Sequence, residues 1–237
     1  MWLYRRRART PAVKASSTRN SGVGLLALVL AQSLMSCGTR DVSPQALPAG
    51  TVLAVDEVGL TAEEIDAAAD IWAQLDPAAS ATHLRQLALT NTLFPLCGGR
   101  LAAPEARFAA RQVIDAAHAA LLAGEAPRDI EISEVEGTWQ ALTPIVWRWA
   151  LEAQPGQVSP VLEQPGTWAF ARLHSVTPAV SARDVRMKLT VYHRAWLDPT
   201  RGLTTIDERL SRATLRSADA AWLDLVPLVW QKKLNVP

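Results

Sequence analysis

The sequence predicts an α+β fold, on three observations. Helical apolar spacing dominates from Thr61 to Gly124, the texture after Ala126 is cut by proline and glycine, and two later segments alternate with period two. Helices first, then helices mixed with strands, is the order expected of an α+β chain.

In chain order, Thr51-Val-Leu-Ala-Val55 reads as a short strand, and Thr61-Ala-Glu-Glu64 as a capping box. In such a box the threonine oxygen accepts the Glu64 amide while the glutamate reaches back to the Thr61 amide. Ile65, Ala68, Trp72 and Leu75 follow at helical spacing, and Pro77 ends the segment. A second helix is expected from Ser80 to Leu96, stopped by Gly98-Gly99, with Cys97 a buried, inert thiol at its end. A third starts at Pro104 and ends at Gly124, with Phe108, Ile114, Ala117 and Leu121 down one side.

Ile130 to Val135 alternates weakly. Leu142 to Ala153 reads as a helix with Ile145, Val146, Trp149 and Ala153 inward. Trp147 and Trp149 cannot share a helix face, so one of them is peripheral. Pro155-Gly156 breaks that helix, Val158 to Val161 is extended, and Pro165-Gly166 turns the chain into the strand Trp168 to His174. Val185 to Leu197 reads as a longer strand. Thr205-Ile-Asp-Glu208 opens a helix, and Ala218 to Leu234 is an apolar segment interrupted at Pro227 that either packs back on the domain or touches a membrane.

The first 36 residues read as an export leader. Arg5, Arg6, Arg7, Arg9, Lys14 and Arg19 form a basic region without an acid, and Val23 to Leu34 is an apolar stretch too short to span a bilayer of ~30 Å. An uncleaved N-terminal anchor is the alternative. Leu34-Met-Ser-Cys37 resembles the lipobox of bacterial lipoproteins. That resemblance implies cleavage before Cys37 and lipidation of Cys37, with two or three acyl chains anchoring the protein at about 0.8 kcal/mol per buried methylene. Gly38 follows in place of aspartate, which favours the outer membrane. Residues 37–50 are then a tether to a periplasm-facing domain. The leader holds 6 of the 24 Lys and Arg and none of the 23 acids, so the mature chain carries a formal charge of −5. A basic nucleic-acid footprint is absent. Neither a Gly-x-Ser-x-Gly elbow nor a His-Glu-x-x-His motif occurs, which leaves a hydrolase without support.

Ala150-Leu-Glu-Ala-Gln-Pro-Gly-Gln-Val-Ser-Pro-Val161, then Pro165-Gly166 and Trp168-Ala-Phe-Ala-Arg-Leu173, resembles the second half of a parvulin-type peptidyl-prolyl isomerase domain. Val52 to Asp66 is similar to the start of SurA-type periplasmic chaperones, and the helix at 104–123 resembles the first parvulin helix. The likeness spans most of 50–175 and is concentrated in 150–173. It implies a SurA-like N-terminal region over 51–103, a degenerate parvulin-like domain over 104–180 and a C-terminal strand and helical extension over 181–237. It also implies a groove for proline-containing segments of exported, unfolded polypeptides, walled by Trp139, Trp149, Val158, Trp168 and Phe170.

Prolyl isomerisation is the activity the resemblance implies, and it needs no metal or other cofactor. An X-Pro bond crosses a barrier of ~18–20 kcal/mol, lowered by a dry pocket and by donors placed for the twisted imide. The family's two histidines have no counterpart by direct matching, and Ala169 stands where the strand histidine belongs. His174 and His193 are the substitutes, the latter if strand 185–197 takes the place of the missing first strand. The expectation is therefore an envelope foldase or chaperone with little or no isomerase activity. The alternative is a non-catalytic assembly lipoprotein using the same groove for one fixed partner.

Overall fold

The computed structural model describes residues 47–236. The leader, Cys37 and most of the tether lie outside the described residues. The chain is α+β, with two antiparallel sheets and helices around them.

Strands β1 (Thr51–Val55) and β2 (Val58–Thr61) form a hairpin whose two-residue turn begins at Asp56, in the left-handed region at φ 50°. A short polar side chain tolerates that backbone. The Asp56 carboxylate also pairs with Arg209 at 2.9 Å and accepts the Thr214 amide at 2.8 Å, tying the turn to the C-terminal region. Thr61 caps helix α1 (Ala62–Leu75) through the reciprocal box: the Glu64 amide donates to Thr61 Oγ1 at 3.1 Å and the Thr61 amide to Glu64 Oε2 at 2.9 Å.

Ser80 caps α2 (Ala81–Ala88), which passes through a single π turn at Leu89–Leu93 into α3 (Phe94–Ala102). The helix therefore does not stop at Gly98-Gly99. Those glycines serve packing. A Cβ on Gly98 would lie 2.8 Å from side-chain carbons of Ile206 and Leu210, and one on Gly99 would lie 3.1 Å from the Gly166 amide nitrogen. Helix α4 (Pro104–Leu122) starts on its proline and ends at Gly124, whose φ of +81° suits glycine alone. Its buried stripe is Ala110, Ile114, Ala117 and Leu121, whereas Phe108 is 65% exposed. The stripe one turn into the helix faces the sheet, and Phe108 falls outside it.

Next come β3 (Glu131–Gly137), α5 (Pro144–Glu152), β4 (Leu162–Gln164), β5 (Thr167–Thr177) and β6 (Arg186–Ala195). Helix α5 buries Val146, Trp147 and Ala150, so Trp147 is the inward tryptophan and Trp149 the peripheral one. The chain closes with α6 (Gly202–Leu210), β7 (Leu215–Ser217), α7 (Ala220–Leu225) and α8 (Leu228–Lys233). Helix α6 opens three residues before Thr205, and Pro227 separates α7 from α8.

The sheet orders are β2-β1-β7 and β3-β6-β5-β4. The first sheet, α1 to α3 and the C-terminal helices share one core around Leu53, Leu60, Ile65, Leu89, Phe94, Cys97, Leu210 and Trp230. Residues after 181 are thus divided between both sheets: β6 completes the four-stranded one, and α6 to α8 pack back on the N-terminal region. The tail is held by Val226, Trp230 and Leu234, with Trp230 5.0 Å from Phe94. Among the described residues no helix is long and apolar enough to cross a membrane.

Candidate functional site

Every residue singled out for binding lies on or beside the four-stranded sheet. Cross-strand partners share a face in an antiparallel pair. Trp168, Phe170 and Arg172 on β5 stand opposite Arg194, Tyr192 and Thr190 on β6, all on one face. Ala169, Ala171 and Leu173, opposite His193, Val191 and Leu189, make the other.

Helix α4 covers the first face. Trp168, Phe170, Tyr192 and Trp196 pack against Ala110, Ile114, Ala117 and Leu121 in a cluster with almost no solvent contact. Phe170 stacks on Tyr192 at 4.7 Å between ring centroids, and Trp168 lies 5.6 Å from Trp196. Trp168 Nε1 donates to the Arg107 carbonyl at 3.1 Å, and the Arg107 and Arg111 guanidiniums sit 5.0 and 4.6 Å from its ring. His118 touches the Phe170 ring edge-on and donates to the Ser159 carbonyl at 2.9 Å, holding the extended segment at Val158 to Val161.

Helix α5 covers the second face, where Val146, Trp147 and Ala150 meet Ala171, Leu173, Met187 and Leu189, with Ile71 and Leu75 of α1 behind them. Trp139 and Trp149 are partly buried there. The five residues expected to wall one groove therefore do not meet in one. Trp168, Phe170 and Val158 belong to the α4 side, Trp139 and Trp149 to the α5 side, and the chain's own side chains fill the space on both. Period-two spacing marked Trp168 and Phe170 as one face correctly, but which helix covers that face is a tertiary fact.

The strand histidines are adjacent in topology and separated in space. β6 lies beside β5, and His193 stands directly opposite Ala169. Its Nε2 donates to Glu131 of β3 at 3.0 Å. Period two places His174 on the face of Arg172 and Thr190, and a register shift between Leu173 and Ser175 leaves it there as an extra residue without a cross-strand partner. There His174 Nε2 donates to Thr190 Oγ1 at 2.7 Å, and Thr190 donates to Glu134 of β3 at 2.6 Å. The two imidazoles lie on opposite faces and share no ligand position. A cavity of about 360 Å³ opens beside His193, lined also by Glu131, Trp196, Leu197 and Asp198. The Thr200 side chain and amide donate to Asp198 there and hold its carboxyl below the ordinary range.

Charge is concentrated at one further place. Glu163 on β4 takes Arg100 of α3 at 2.8 Å and Arg107 of α4 at 2.5 Å. Burial opposes its ionisation, but the hydrogen bonds from Arg107 and Arg100 prevail and keep its carboxyl below the ordinary value. This triad joins both helices to the sheet, and no spacing in the sequence announces it. Cys97 is fully buried, and burial pushes its thiol up to about 12, so it carries no nucleophile at neutral pH. Among the described residues no three metal-ligating side chains converge.

Comparison with protein-family models, curated proteins and solved structures finds no match for this chain.

Proposed function

We propose that this chain is an envelope lipoprotein that binds extended polypeptide segments without accelerating prolyl isomerisation, an assembly factor or holding chaperone built on a parvulin-like sheet. The observation that carries the reading is the occupation of the four-stranded sheet. Helices α4 and α5 fill its two faces, and His174 and His193 are turned to opposite sides, each engaged toward a β3 glutamate. A proline ring has no dry pocket between facing histidines to enter, so the differential binding a twisted imide requires is missing. The outer edge of β3, unpaired among the described residues, still offers backbone hydrogen bonds, and main-chain pairing to a sheet edge is a general way to hold extended polypeptide. The lipobox-like Leu34-Met-Ser-Cys37 and the acid-free basic leader support the envelope.

NMR exchange spectroscopy on proline-containing peptides tests this directly. Cis-trans exchange at the uncatalysed rate, together with saturable binding of a reduced, unfolded exported protein, is the expected result. Acceleration that disappears in His193→Ala would instead favour a second reading, weak isomerisation in the cavity beside His193. The juxtaposition of His193 with Ala169 is what favours that second reading.

A further inference from the structure

The outermost strand of the four-stranded sheet is β3, which is hydrogen-bonded to β6 through seven consecutive pairs, Glu131↔His193 to Gly137↔Met187, without a bulge. Among the described residues no backbone hydrogen bond is made on its outer side. Edge strands are ordinarily guarded by shortness, proline, lysine or a bulge. The opposite edge, β4, has three residues, and the edges of the other sheet, β2 and β7, have four and three. β3 is seven residues long, Glu-Ile-Ser-Glu-Val-Glu-Gly, with none of those guards, and carries acidic side chains instead.

Those acids are patterned. Ile132, Glu134 and Glu136 share one face, and all three are exposed, Ile132 by 55%. Lys188 stands opposite Glu136 on β6, and the Glu134 carboxylate accepts from Thr190 Oγ1. The outer rim thus presents one apolar and two anionic positions at alternate residues beside unpaired main-chain groups.

We infer that β3 docks an extended polypeptide as an added antiparallel strand, selecting basic residues opposite Glu136 and Glu134 and an apolar residue opposite Ile132, that is, a Lys-x-Lys-x-Leu pattern. The inference rests on the polypeptide-binding function proposed above and specifies where and what the protein binds. The main-chain ladder supplies the docking mode, and cross-strand pairs supply the selectivity, each opposite-charge pair contributing modestly and like charges opposing. An acidic rim also repels a second copy of itself, which keeps this edge from pairing with its own kind.

The test uses the full chain and a labelled ten-residue peptide containing Lys-Thr-Lys-Thr-Leu, followed by fluorescence anisotropy and by hydrogen exchange of the 131–137 amides. Three controls accompany it: the Glu-Thr-Glu-Thr-Leu counterpart, a Lys-Lys-Thr-Thr-Leu scramble, and the pair of basic peptides N-methylated at alternate residues. Expected are binding at least tenfold tighter for the basic peptide than for either unmethylated control, slowed exchange across 131–137, and loss in one N-methylated peptide only. The preference should reverse toward the acidic peptide in the Glu134→Lys/Glu136→Lys double variant, whose circular dichroism should match the parent. Tight binding with unchanged 131–137 exchange, or with no effect of N-methylation, overturns strand addition while leaving polypeptide binding intact. Failure of every peptide and of an unfolded protein to bind overturns both.

Discussion

Glu163 shows how much can depend on one side chain. With only 11% of its side chain exposed, it neutralises Arg100 and Arg107 from two helices. Glu163→Gln leaves two cations facing an amide, and removing one member of a buried pair typically costs ~3–5 kcal/mol. Both arginine side chains keep a quarter or more of their surface in water, so a loss of about 2–3 kcal/mol is expected in urea unfolding, after the solvent screening that weakens exposed pairs. The pH dependence has a definite sign. The folded carboxyl lies below its unfolded value of ~4.3, so its stabilisation is complete above that pH and fades as pH falls through the lower, folded value. Parent and Glu163→Gln should converge in stability on acidification below pH 4. A constant gap down to pH 2 would show that the carboxylate's charge is not what matters.

At the scale of an element, the run from Ser80 to Ala102 shows a helix shaped by its neighbours. Gly98 and Gly99 are poor helix formers, yet they sit inside α3 because α6 and the Pro165-Gly166 turn press against them. Alanine at 98 gains about 0.8–1 kcal/mol in helix propensity and meets Ile206 and Leu210 at 2.8 Å. Overpacking of that kind costs ~1–3 kcal/mol. Gly98→Ala is therefore expected to lower the melting temperature despite its better propensity, and a rise would mean that α6 moves away freely. The N-terminus of α1 behaves more simply. Thr61→Ala removes the capping hydroxyl and should cost ~1 kcal/mol, read as a shift of the urea midpoint at unchanged slope.

For the molecule as a whole, the decisive feature is the joint filling of both sheet faces. Trp147 is fully buried where α5 meets the sheet, and Phe170 is fully buried where α4 meets it. Truncating either to alanine removes a large ring from a sealed core, a change that typically costs ~3–5 kcal/mol. Because both rings serve the fold, Phe170→Ala should lower stability in thermal unfolding without creating prolyl isomerase activity. Acceleration of exchange in that cavity-bearing variant would mean that the sheet face is a masked catalytic pocket.

Elements were legible from the sequence wherever their cause is local. The reciprocal cap at Thr61 and Glu64, Pro104 opening α4, Gly124 closing it, and the alternation of Trp168 to His174 each depend on residues a few positions apart. Cys97 could likewise be placed inside from its apolar neighbours. Helical spacing also named most of the inward stripes of α1 and α4, but the tertiary structure decided the margins of those stripes and the inward face of α5, so Phe108 went to solvent, Trp147 displaced Trp149, and α3 continued through its glycines. It also decided that the aromatic residues expected to line a groove fill two separate cores instead. Alternation and helical spacing report which residues point the same way, but the partner against which they point is set by contacts across a hundred residues, as between Gly99 and Trp196 or between β1 and β7. The outer edge of β3, unpaired among the described residues, belongs to this second kind: the sequence shows only weak alternation from Ile130 to Val135, and the assembled sheet leaves the strand outermost.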